Sequence, residues 1–101
     1  MDLNDARILD AEALNRALAE LPEWQVENGR LWREFRFPDF VRAFGFMTQV
    51  ALVAETLGHH PDWCNAYGRV RVELVTHEVG AITERDLRLA REMDAIAARL
   101  A

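Results

Sequence analysis

Two β-hairpins alternating with three amphipathic helices predict an α+β fold: a four-stranded antiparallel sheet with three helices on one face. Three observations carry the prediction. Apolar residues recur at helical spacing in three separate segments of the 101-residue chain. Asn28-Gly29 joins two alternating segments, the strongest short-range signal for a type I′ hairpin turn. Val70, Val72 and Leu74 alternate with Arg69, Arg71 and Glu73, as a strand with one wet face requires. The predicted order is α-β-β-α-β-β-α, in one domain spanning residues 1–101.

The first helix takes Asp10 as N-cap and carries Leu14, Ala17, Leu18 and Leu21 on one stripe before Pro22 stops it. In the hairpin WQVENGRLWREFRF, Leu31, Arg33 and Phe35 face one side and Trp32, Glu34 and Arg36 the other. Asp39, after Pro38, caps the second and longest helix, Phe40 to Leu57. At ~100° per residue, Phe40, Phe44, Met47, Val50, Ala51, Val53, Ala54 and Leu57 cover more than half of its circumference. Its polar arc, centred on Arg42, Gln49 and Thr56, is narrow. Such a helix sits between two neighbours of its own chain or forms a subunit interface, and three helices offer few internal neighbours. Gly58 ends it. WCNA and RVRVELVTH form the second hairpin around Tyr67-Gly68, and VGA turns into the last helix. Thr83 caps that helix, Asp86 completes a partial capping box, and Leu87, Ala90, Met93, Ile96, Ala97 and Leu100 form its inner stripe.

Composition narrows the function classes. A net charge of -5, with Glu73 diluting Arg69 and Arg71, argues against a nucleic-acid partner. The stretch VRAFGFMTQVALVAETLG is interrupted by Arg42, Gln49 and Glu55, so no membrane span is expected. MDLNDARILD has neither a basic n-region nor an apolar h-region, so no secretory signal is expected. The single cysteine, Cys64, allows no internal disulfide and suggests a reducing cytoplasm. There is no G-x-S-x-G nucleophile motif and no glycine-rich phosphate loop.

Chemistry concentrates in ETLGHHPDW, residues 55–63, which holds two of the three histidines. Glu55 shares a helical phase with Phe40, Phe44 and Ala51, so it is expected to lean toward the apolar side, where it could hydrogen-bond an imidazole. The third histidine, His77, closes the last strand and could meet His59 and His60 in one cleft, with Glu78, Trp63 and Tyr67 nearby. Pro61 holds His60 in extended backbone angles. Three imidazoles could ligate zinc, but adjacent histidines diverge, which disfavours a shared ion. Acid/base chemistry fits better, because imidazole gives and takes protons near neutral pH. A flat pocket beside Trp63 suggests a planar heteroaromatic substrate.

The segments DFVRAFGFMTQVALVAETLGHHPDW, NAYGRVRVELVTHE and TERDLRLA, which cover residues 39–90 nearly without gaps, resemble the pterin-4a-carbinolamine dehydratases. The motif E-x-x-x-H-H-P-x-W, then a tyrosine, then T-H-E, is long and specific. The resemblance implies this α+β fold, a homodimer or homotetramer formed through the second helix, and no metal or organic cofactor. It implies dehydration of 4a-hydroxytetrahydrobiopterin, the product of aromatic amino acid hydroxylases, to the quinonoid dihydropterin. It implies His59, His60 and His77 as the active-site histidines and Glu55 as a supporting carboxylate. Pro61, Trp63, Thr76 and Glu78 fall at substrate-contact positions. His60 is the expected acid toward the hydroxyl, with His59 and His77 positioning the pterin and accepting a proton. Gly58 departs from the asparagine or aspartate frequent there. Some members of the family also bind a protein partner through the long helix, so Phe44 to Val53 is the surface for an alternative role as a binding module or assembly factor.

Overall fold

A computed structural model describes residues 6–101; the first five residues of the segment read as lacking a signal lie outside the described residues. The elements are α1 (Ala11–Ala19), β1 (Gln25–Glu27), β2 (Arg30–Arg36), α2 (Phe40–Leu57), β3 (Asp62–Ala66), β4 (Arg69–Leu74) and α3 (Glu84–Leu100). The four strands form one antiparallel sheet in the order β1-β2-β4-β3. The sequence-predicted order and fold class hold, and the differences lie at element ends. α1 stops at Ala19, and β4 stops at Leu74, so His77 lies in a turn closed by the Thr76–Ala81 bridge and not on a strand.

The helix starts follow from their caps. Asp10, Asp39 and Thr83 each have extended backbone angles and accept a hydrogen bond from a backbone N–H of the first turn. The two β-turns use left-handed geometry at Asn28, Gly29 and Tyr67. Gly68 is required for a different reason. A Cβ there would lie 2.4 Å from the Phe37 carbonyl oxygen, while Phe37 N–H donates to the Gly68 carbonyl at 2.8 Å. Close backbone approach, not turn geometry, fixes that residue.

One face of the sheet supplies the core floor. Leu31, Phe35, Val70, Val72 and Leu74 are fully buried there against Ala43, Phe46 and Val50 of α2 and Leu87, Ala90 and Met93 of α3. Phe46 packs its ring 4.6 Å from Phe35 and 5.0 Å from Phe37. Truncating such a side chain to alanine costs typically ~3–5 kcal/mol. The opposite sheet face carries Trp32, Glu34 and Arg36 across from Glu73, Arg71 and Arg69, and no helix covers it among the described residues.

α2 turns a different part of its apolar arc inward than its bulkiest residues suggest. Ala43, Phe46, Val50 and Ala54 are buried, while Phe40, Val41, Phe44 and Leu52 are each more than half exposed. Phe40 and Phe44 pack against each other on the outside, their ring centroids 5.7 Å apart and tilted by 42°. Small Ala43 and Ala54 lie on the buried side with Phe46 and Val50, and the Phe40–Phe44 side faces away. By length and composition the helix meets the threshold for crossing a membrane, yet its inner face is part of the domain core.

Candidate active site

The C-terminus of α2 delivers the histidine pair. Gly58 adopts φ 65°, and its N–H bonds the Glu55 carbonyl at 3.2 Å while His59 N–H bonds that of Ala54 at 3.1 Å. This is a Schellman ending, which reverses the chain and drops His59 against the helix it has just left. Pro61 then starts an extended run into β3.

His59 points inward. Its side chain is 6% exposed, and its Nε2 lies 2.6 Å from Oδ1 of Asp86, itself fully buried in the first turn of α3. The same carboxylate is saturated on its other oxygen. Asp86 Oδ2 accepts from the Thr76 hydroxyl and from Thr83 N–H, both at 2.9 Å, and the two threonine hydroxyls bond each other at 2.6 Å. Asp86 therefore closes the capping box of α3 and orients His59 with one side chain.

His60 and His77 point outward, each with a carboxylate of its own. His60 Nε2 lies 2.8 Å from Glu55 Oε1, and His77 Nε2 lies 3.2 Å from Asp62 Oδ2. Both pairs are exposed, with His60 and His77 at 65% and 60%. Residues 59–62 and 76–77 are thus tied together twice, through His59, Asp86 and Thr76 below and through Asp62 and His77 above.

One expectation needs correction, and the other predicted residues take these places. Glu55 does pair with an imidazole, but from the solvent side. Its side chain is 79% exposed, because the face it shares with Phe40 and Phe44 is the one turned away from the core. Thr76 is fully buried, and its hydroxyl bonds Thr83 and Asp86 beneath the histidines. Glu78 is exposed and bonds Arg85 at 2.6 Å. Pro61 is half-buried between the histidines and β3, and Trp63 packs partly buried against the core. A shallow cavity of about 250 Å³ opens beside Trp63, lined also by Asp62, Cys64, Arg71 and Glu73. Asp62 and Asp86 are the site residues that sequence reasoning did not single out for this role. Asp86 carried only a capping signal, and Asp62 none beyond its place in HHPDW. Among the described residues, no three His, Cys, Asp or Glu side chains converge on a point that could hold a metal ion.

The arrangement provides three imidazoles, each with Nε2 fixed by a different carboxylate. A fixed Nε2 defines which ring nitrogen is available for proton transfer. Comparison with known proteins shows the family. Residues 7–96 match the family model for pterin 4 alpha carbinolamine dehydratase. The chain belongs to this family. A protein of Solibacter usitatus, named "Putative pterin-4-alpha-carbinolamine dehydratase", is 49% identical over 89% of this chain and 95% of its own length. A protein of the same name from Nitrobacter winogradskyi is 57% identical over 85% of this chain and 87% of its own. Among solved structures, the transcriptional coactivator/pterin dehydratase from Brucella melitensis is 48% identical. It superposes with a TM-score of 0.88 over 90% of this chain and 99% of its own. A pterin dehydratase-like RuBisCO assembly factor of the alpha-carboxysome shares the fold at 24% identity, TM-score 0.61, over 73% of this chain and 86% of its own.

Proposed function

We propose that this chain is a hydro-lyase that converts 4a-hydroxytetrahydrobiopterin to the quinonoid dihydropterin and water. The observation that carries this reading is the double tie between residues 59–62 and 76–77, which sets two solvent-facing imidazoles above a third that is locked in place. Dehydration across a C–N bond needs one proton delivered to the leaving 4a-hydroxyl and one removed from the adjacent ring nitrogen. His60 is positioned to deliver the first and His77 to accept the second. Each transfer by a positioned side chain contributes typically ~10²–10⁴-fold. His59, held by Asp86, orients the pterin from below, and Glu55 holds the His60 ring. Side chains of this chain deliver one proton and accept the other, so the reading calls for no metal or organic cofactor. A reducing cytoplasm suits the single exposed thiol of Cys64. The test is the decay of 4a-hydroxytetrahydropterin absorbance with and without purified protein. Acceleration in proportion to protein concentration is expected, and decay at the buffer rate would sink the reading.

The outer face of α2 favours self-association as part of this proposal. Phe40, Val41, Phe44 and Leu52 are all exposed on one helix, and exposed apolar surface of this kind marks interfaces. We infer a homodimer or homotetramer built through α2. Phe44→Glu should lower the mass measured by light scattering to that of one chain; an unchanged mass would place the interface elsewhere. The alternative role, binding a different protein, would use the same surface and would show as competition between that protein and self-association.

A further inference from the structure

Asp62 occupies a position that its neighbours make electrostatically awkward. In the β3–β4 register it lies directly opposite Glu73, on the sheet face that no helix covers. Like charges directly opposite each other destabilise a strand pair. Arg30, at the start of β2, resolves the conflict: its Nη1 lies 3.0 Å from Asp62 Oδ2 and 3.5 Å from Glu73 Oε2. His77 Nε2 reaches the same Asp62 oxygen at 3.2 Å. One carboxylate oxygen thus faces a guanidinium and an imidazole together.

That shared oxygen determines the imidazole's tautomer. A guanidinium can only donate, so the oxygen it meets is an acceptor. Toward such an oxygen, His77 Nε2 must carry its hydrogen. In the neutral ring the lone pair is then on Nδ1, which is the nitrogen left free to take a proton. We propose that Asp62, held by Arg30, is a positioning residue that fixes His77 as the Nε2–H tautomer, so that Nδ1 is the proton-accepting atom. The inference rests on the dehydratase reading for its catalytic meaning, though not for the tautomer itself. In the reaction, the proton on the pterin ring nitrogen passes to His77 Nδ1, and the electron pair of that N–H bond forms the C=N bond to carbon 4a. The C–O bond at 4a breaks as His60 gives its proton to the departing oxygen, and water leaves. The enzyme has then gained one proton and lost one, and exchange with solvent restores both rings.

The test uses ¹⁵N spectra of the histidine rings in the full chain at a pH where the imidazoles are neutral. Signals are assigned with His59→Gln, His60→Gln and His77→Gln. Wild-type His77 should show a single Nε2–H tautomer, and Asp62→Ala should give a mixture of both tautomers. Dehydration by Asp62→Ala should fall in kcat by about tenfold, with KM moved less than about twofold, because orientation and not binding is lost. Arg30→Ala should move both readouts in the same direction by a smaller amount. An unchanged His77 ring spectrum in Asp62→Ala would overturn the proposal, as would an Nδ1–H ring in the wild type. A wild-type chain without dehydratase activity would instead sink the functional reading, while the ring spectra still decide the role of Asp62.

Discussion

His59 is 6% exposed and bonded to a fully buried carboxylate, while the next residue, His60, is 65% exposed and bonded to a carboxylate on the open surface. One peptide bond separates a group built into the core from one presented to solvent. The difference comes from the Schellman ending of α2, which turns His59 under the helix, and from Pro61, which keeps His60 extended. In the proposed dehydratase, the buried corner of His59, Asp86, Thr76 and Thr83 serves both folding and function. The open arms, His60 with Glu55 and His77 with Asp62, contribute little to the fold and are free to meet a substrate. Damage to the corner should therefore appear in both stability and rate, and damage to the arms in rate alone.

The contrast can be broken most sharply at the open arm. His60→Ala should lower the dehydration rate by about 10²–10⁴-fold. Its stability should stay within about 0.5 kcal/mol of wild type, as for an exposed residue outside the core. A large fall in melting temperature would show that His60 belongs to the corner after all. Asp86→Ala probes the other side. It removes the capping-box bond from Thr83 N–H, worth about 1 kcal/mol, and strips the buried His59 and Thr76 of a partner, at about 1–3 kcal/mol. A total of about 2–4 kcal/mol should lower the melting temperature by roughly 10–25 °C for a domain of this size. The rate should also fall about tenfold or more under conditions where the variant remains folded. Glu55→Gln should have the smallest effect. Exposed ion pairs contribute about 0–1 kcal/mol, so calorimetry should detect almost no change, with only a few-fold loss of rate.

Much of the fold was legible because its signals are local. Asp10, Asp39 and Thr83 announce helix starts, Gly58 an end, and Asn28-Gly29 a turn, each through interactions within a few residues. The pair His59 and His60 was legible as a candidate site for the same reason, since the two stand together in one loop. The histidines' partners were less so. Asp62 and His77 are 15 residues apart and Asp86 and His59 are 27 apart, so only the strand register and the docking of α3 bring them together. Asp86 could be read as a cap and nothing more. The helical phase of Glu55 was correct, yet phase alone does not say which of two apolar faces the domain uses. The domain buries the face with Ala43, Phe46, Val50 and Ala54 and leaves Phe40 and Phe44 outside, a choice made by tertiary packing and not by local sequence.

The most direct test of this division is the dehydration rate of the double variant His60→Ala/His77→Ala, measured beside its melting temperature. The account predicts a folded protein melting within a few degrees of wild type, with 4a-hydroxytetrahydropterin decaying at the rate seen in buffer. A double variant that still accelerates the decay as wild type does would contradict it.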